Sequence, residues 1–311
     1  LLKEFNRERN LDPKLVESLA KAKSKGYESW QEAKKNSDFK IFLPFFEELV
    51  KLRIEEAKQI SNQYSPWETL AQPFEPELTL KWLYKMFQPL KETIPELIKG
   101  INQFKKKHWD LSQESQHDLC SKLLDEFGRD KDLVIVAKSP HPFSITLGPN
   151  DYRITTRIVE GEPLSSFLAT AHEWGHSIYE QGLPSQSHQW FAWPLGQATS
   201  MGIHESQSLF WENRIIKSKS FSKKFFKKFV SAGCTLNNYL ELWKSFNHLE
   251  PGLNRVEADE LTYGLHILIR TELEVDLIEG ALPAKDIPGE WNKRYDQLLG
   301  IKPSNDSEGC L

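Results

Sequence analysis

The sequence predicts a mainly α-helical fold carrying one small antiparallel β hairpin. Three observations point there: long stretches of three-and-four apolar periodicity, turn residues that break them, and a single β-rich interval in mid-chain. Residues 13–35, 37–62, 77–108 and 112–127 repeat Leu, Ala, Lys and Glu at helical spacing, with breaks at Asn36-Ser37, Ser65-Pro66 and Pro73 through Pro76. Leu133-Val134-Ile135-Val136 is a short run rich in β-branched residues. Phe143–Leu147, Gly148-Pro149-Asn150 and Tyr152–Val159 then read as strand, turn and strand. A helix follows from Glu162 to Gln181, with Pro163 in its first turn, Gly182 just past its end and Pro184 beyond. A loop rich in Trp, Pro and Ser leads to a helix capped near Thr199 or Ser200. A last long helix is expected to open at Leu253 and run to about Glu279. With no internal repeat and no linker, 1–311 reads as one region, helical over 1–130, β-rich over 131–160 and helical again over 161–311.

Composition narrows the function classes. A chain of 311 residues with 39% hydrophobic content can bury a large core. A net charge of −4 argues against a dominant nucleic-acid role. No apolar run of spanning length and no signal peptide is evident, so no membrane is expected and a cytoplasmic location is. Cys120, Cys234 and Cys310 are odd in number and far apart, which implies neither a disulfide framework nor a cysteine metal site. The six lysines between Lys217 and Lys228 alternate with Phe221, Phe225 and Phe226, a pattern better met by a solvated helix with a buried Phe edge than by a membrane face. Gln189 to Pro194, rich in Trp, fits either a pocket wall or core packing under a loop.

The chemistry is concentrated in His172-Glu173-Trp174-Gly175-His176. Residues four apart share a helix face, so His172 and His176 can offer two imidazole nitrogens to one tetrahedral metal, with Glu173 beside the metal. Glu205 lies downstream in His204-Glu205-Ser206-Gln207 and completes a His₂Glu set with an open position, the pattern of a zinc hydrolase. A bare H-E-x-x-H arises by chance in about 1 in 100 chains of this size, so its context matters. Leu164, Phe167, Leu168, Ala171, Gly175 and Ile178 give that helix a buried stripe, leaving the two histidines on an adjacent face. A structural zinc site is the weaker reading, because such sites close with four ligands.

Two further patterns carry polar groups. In the second hairpin strand, Asp151, Arg153, Thr155 and Arg157 alternate onto one face, which suits either plain solvation or a cleft wall that binds an extended peptide. On the expected last helix, Arg255, Asp259, Tyr263, His266 and Arg270 fall on one stripe. Solvent exposure explains such a stripe, as does an i, i+4 pair between Arg255 and Asp259. A fork for a carboxylate with oxyanion donors explains it too.

Taken together, the motifs resemble the carboxypeptidase Taq family of zinc metallocarboxypeptidases in content, order and spacing. The matching pieces are His141-Pro142-Phe143, Asp151-Tyr152-Arg153-Ile154-Thr155 (the family's D-x-R-x-T), His172 to His176, His204-Glu205-Ser206-Gln207, and Asn254-Arg255-Val256-Glu257-Ala258-Asp259. The helical segment from Asp12 to Thr79 also resembles the family's N-terminal region. The resemblance implies a zincin-like helical metallopeptidase with the hairpin beside the active-site helix, cytoplasmic and usually homodimeric. Such an enzyme removes C-terminal residues from peptides with a free C-terminus, using Zn²⁺ or, as a substitute, Co²⁺. On that carry-over His172, His176 and Glu205 ligate the metal, Glu173 is the base and Arg255 holds the substrate carboxylate. His141, Asp151, Arg153 and Thr155 would line the cleft. Tyr263 and His266, on the expected face of Arg255, are the candidate oxyanion donors.

The family ends in G-x-x-Q-D-x-H-W and further helices, whereas this sequence stops at Gly309-Cys310-Leu311 and opens at Leu1. The expectation is therefore an internal fragment of a longer enzyme. Its alternatives are a homologue that binds metal or peptide without hydrolysis, and a related zinc endopeptidase or oligopeptidase.

Overall fold

The computed structural model describes residues 2–61, 63–101, 107–184, 187 and 189–311, and they are mostly helical. They form two compact units. One comprises Leu1–Asn102 with Leu249–Leu311, and the other Gln103–His248.

The first unit holds α1 (Leu2–Asn10), α2 (Pro13–Asn36), α3 (Phe39–Ile60), α4 (Pro66–Ala71), α5 (Leu80–Lys99) and the late helices α11 (Tyr263–Ile278) and α12 (Ile287–Leu299). The caps are local. Asp12, Asp38, Ser65 and Thr79 each accept a backbone N–H of the following first turn, and Ser65 with Glu68 closes a full capping box. The helix expected over 77–108 is shorter, starting after Thr79 and stopping at Gly100, which cannot sustain helical order cheaply. Residues 102–106 of that expectation lie outside the described ones. The core of this unit is the apolar side of α11 (Leu265, Leu268, Ile269, Leu273) against Trp291, Tyr295 and Leu299 of α12, with Ala33 and Phe39.

The second unit holds α6 (Gln113–Glu126), three strands, α7 (Pro163–Gln181), α8 (Met201–Leu209), α9 (Lys219–Ala232) and α10 (Tyr239–Phe246). The hairpin forms as expected from β2 (Ser144–Gly148) and β3 (Asp151–Thr156), with Asn150 supplying the positive φ of its turn. β1 (Val134–Lys138) adds to the other edge of β3 in parallel, so the sheet is mixed and runs β1-β3-β2. β3 ends at Thr156, earlier than the expected Val159, and leaves Arg157 outside the ladder.

What fixes α7 is a buried polar network as well as apolar packing. Ser166 Oγ donates to Gln116 Oε1 of α6 at 3.0 Å, and Gln116 Nε2 donates to the Val159 carbonyl at 3.0 Å. Thr156 Oγ1 at the end of β3 and Thr170 Oγ1 both donate to the Ser166 carbonyl. Each buried polar atom in this knot has a partner, which is the condition for such a network to stabilise rather than cost energy. Phe167 and Ala171 pack with Phe221, Phe225 and Phe229 of α9, while Trp174 meets Tyr152 and Ile154 of the sheet. The lysines of α9 point outward, and Lys224 and Lys228 pair with Glu126, so the basic run is a solvated face with a buried Phe edge. Trp190 and Trp193 are exposed rather than packed as core. No helix among the described residues is long and apolar enough to cross a membrane.

Candidate metal centre

Helical spacing on α7 places the imidazoles of His172 and His176 side by side, ring centroids 4.9 Å apart. The third donor comes from α8, and its approach depends on Gly175. A Cβ built there would lie 2.5 Å from Ser208 Cα and 2.7 Å from the Gln207 carbonyl oxygen, so only glycine lets the two backbones come this close. Ser200 caps α8 by accepting the Ile203 N–H at 3.0 Å. One turn later Glu205 faces α7, with Oε1 3.7 Å from His172 Nε2 and Oε2 3.4 Å from His176 Nε2.

Among the described residues, His172, His176 and Glu205 form one group of three metal-capable side chains whose donor atoms all lie within 4.8 Å of one another. Two donors about 2.1 Å from a tetrahedral metal sit about 3.4 Å apart, so these separations suit a shared ion with little movement. His172 Nδ1 is 2.9 Å from Glu212 Oε2, and the other Glu212 oxygen is 3.9 Å from the buried Lys217 ammonium. A carboxylate on Nδ1 fixes the tautomer that leaves the Nε2 lone pair free for a metal. The donor set therefore fits a divalent cation. Burial disfavours a charged His172, but the hydrogen bond to Glu212 and the charges of Glu212, Glu205 and Glu173 outweigh it and raise its pKa.

Glu173 is outside the donor group and only 7% exposed. Burial raises its pKa above the usual carboxylate range, against the pull of the two imidazoles and with the support of Glu205 and Glu212.

Several contacts here were not anticipated. Glu212 lies seven residues past Glu205, in a π-helical turn (Phe210–Ile216) that continues α8, and such turns mark functional segments. Two further residues are His204 and Glu180, whose Nε2 and Oε1 are 2.9 Å apart. The spacing of Glu212 from Glu205, two turns on one face, and of Glu180 from His176, one turn, was the available signal.

The hairpin residues make local contacts. Arg153 donates to both carboxylate oxygens of Asp151 at 3.0 and 3.1 Å and holds its pKa low. Thr155 is buried rather than displayed with Asp151 and Arg153, because its hydroxyl accepts the Phe143 N–H and donates to the His141 carbonyl. His141 itself is exposed.

Arg255, Tyr263 and His266 belong to the other compact unit. The long helix expected from Leu253 does not form. Arg255–Glu257 is a short 3₁₀ turn, and α11 starts only at Tyr263. Asn254 and Asp259 explain the break, since each spends its side chain on nearby N–H groups: Asn254 on Val256, and Asp259 on Leu261 and Thr262. In place of the i, i+4 pair with Asp259, which is one reading of the stripe, Arg255 Nη1 donates to the Tyr263 hydroxyl at 3.3 Å. His266 is fully buried, with Nδ1 3.0 Å from the Tyr295 hydroxyl.

The chain is similar to carboxypeptidase 1 of Bacillus subtilis (strain 168), 37% identical over 301 residues, covering 93% of this chain and 59% of that protein. It is 34% identical to thermostable carboxypeptidase 1 of Thermus thermophilus, covering 99% of this chain and 63% of that protein. Its fold is similar to the Trypanosoma cruzi metallocarboxypeptidase 1 structure, with a TM-score of 0.89 at 32% identity over 97% of this chain and 62% of that one. The crystal structure of an M32 carboxypeptidase from Deinococcus radiodurans R1 gives a TM-score of 0.90 at 28% identity, covering 98% and 63%. The chain thus spans about three fifths of the length of its curated relatives. A family model described as carboxypeptidase Taq (M32) metallopeptidase matches residues 1–311. A match over the whole length, joined to a donor set that suits a divalent cation, means that the chain belongs to the carboxypeptidase Taq (M32) metallopeptidase family.

Proposed function

We propose that residues 1–311 are the catalytic region of a zinc-dependent carboxypeptidase that releases C-terminal residues from peptides. The observation that carries this reading is the convergence of three donors at metal-compatible spacing beside a buried Glu173. Nitrogen and carboxylate donors, three in number, suit zinc with an open coordination position, and cobalt fits the same set.

A divalent metal would be held by His172, His176 and Glu205 and would supply Lewis acidity that lowers the pKa of a bound water towards about 7. Glu173, buried beside that donor set, is the residue placed to accept a proton there. Its raised pKa suits it to hold the proton and deliver it to the departing amine. Glu212 keeps His172 in the ligating tautomer. Arg255 receives the free carboxylate of the substrate, its guanidinium steadied by the Tyr263 hydroxyl, and Tyr263 donates to the oxyanion. His266 is fully buried with its Nδ1 on the Tyr295 hydroxyl, so of the two expected oxyanion donors this reading keeps Tyr263. The hairpin forms the cleft wall, with the Asp151–Arg153 pair facing the peptide and Thr155 bracing the His141 segment. A homodimer in the cytoplasm belongs to the same reading, and three free cysteines support a reducing compartment.

The test compares an N-blocked peptide ending in a free carboxylate with the same peptide amidated at its C-terminus. Zinc-dependent release of the last residue from the first alone supports an exopeptidase. Equal cleavage of the amidated peptide would establish the endopeptidase alternative and remove the role given to Arg255.

A further inference from the structure

The two histidines of the metal centre are held differently. His172 has a carboxylate on its Nδ1, but His176 Nδ1 is buried with no hydrogen-bond partner among the described residues, so no polar contact from them on that side sets the plane of its ring. A second imidazole lies against it instead. His204 stacks on His176 with centroids 4.5 Å apart and planes 24° from parallel. His204 is itself oriented from two directions: its Nε2 meets Glu180 Oε1 at 2.9 Å, and the Tyr179 ring stands edge-on to it at 5.3 Å and 89°.

We infer that His204, aligned by Glu180 and Tyr179, is a positioning residue that sets the ring plane of His176 and, through its neighbour Glu205, the seat of the third donor. The connectivity carries this. Glu180 lies one turn past His176 on α7, and His204 immediately precedes Glu205 on α8, so the His204–Glu180 contact ties the two helices beside two of the three donors. A face-to-face ring restricts rotation about the His176 side chain much as a hydrogen bond does for His172. It does so without a charge on Nδ1. The inference rests on the proposed metal reading.

Cobalt is the probe, because its visible absorption reports the geometry of the donor set as well as occupancy. Co²⁺ affinity and spectrum are compared for the wild-type chain, His204→Leu and His204→Phe, with thermal melting followed alongside. Leu keeps bulk and removes the ring face, whereas Phe keeps the face. The expected result is Co²⁺ binding weaker by about 10- to 100-fold in His204→Leu with an altered band shape, and recovery to within about threefold of wild type in His204→Phe. A role confined to packing would lower the melting temperature of both variants and leave the cobalt spectrum unchanged. That result, or equal affinity for the Leu and Phe variants, overturns the inference. A wild-type chain that takes up no cobalt overturns the metal reading, and the inference falls with it.

Discussion

His172 and His266 are both histidines in the interior of helices, one in each compact unit, and their surroundings have opposite charge. His172 faces Glu212, Glu205 and Glu173, so its positive form is favoured despite burial. His266 is fully buried, with the charges of Arg270 and Arg255 acting on it against Asp259 and a backbone hydrogen bond at Gly252. Burial first, then those guanidinium groups, push its pKa down to about 4. One unit carries a donor set that suits a cation. The other keeps its histidine neutral beside two guanidinium groups.

The largest expected effect breaks the cation side without emptying it. Glu173→Gln should retain metal and lower peptide turnover by roughly 10²- to 10⁴-fold, because it removes a proton acceptor and no ligand. Metal content and turnover read on one preparation decide the point, and loss of both together would make Glu173 a ligand. Gly175→Ala attacks the same pocket through the backbone. Its methyl would collide with Ser208 Cα, and since backbone cannot yield as a side chain does, a loss of about 3 kcal/mol or more is expected in urea unfolding, with weaker metal binding. Unchanged stability would mean that α7 and α8 separate freely.

The neutral histidine of the other unit predicts a pH signature. The folded pKa of His266 is below its unfolded value of about 6.5, so the unfolded chain binds the extra proton in between. This contribution is complete above pH ~6.5 and drains away as pH falls towards 4, by about 3 kcal/mol at most. Urea midpoints across that range should flatten in His266→Gln. A variant with the same slope as wild type would assign the acid sensitivity elsewhere. The smallest effect is that of Glu212→Ala, which should weaken metal affinity by about 10- to 100-fold by freeing His172 Nδ1, and leave the stability of the other unit alone. Equal affinity would show that the Glu212 contact does not set the ligating tautomer of His172.

The two units were not equally legible in the sequence. His172 and His176 follow from helical geometry, which turns a spacing of four into a shared face, and the start of α7 at Pro163 and the cap of α8 at Ser200 follow from local residue types. The same rule puts Arg255 and Asp259 on one helix face, and it fails where Asn254 and Asp259 draw backbone N–H groups to themselves and end the helix pattern. Periodicity makes Gly175 one member of a buried stripe, while its real significance, the approach of a second backbone, depends on a partner on another helix. Strand alternation puts Thr155 on the face of Asp151 and Arg153, yet its hydroxyl is taken up by the Phe143 N–H and the His141 carbonyl. Contacts within one element follow from sequence period. Contacts made by loops and between elements do not.

The metal centre depends on three side chains sharing one ion. Anomalous scattering from a zinc-loaded crystal of the chain tests it directly. The expected result is a single peak at about 2.0–2.2 Å from His172 Nε2, His176 Nε2 and a Glu205 carboxylate oxygen, with Glu173 outside bonding distance. A zinc peak bonded through other residues, or a site in which Glu205 points away from the two imidazoles, would contradict it.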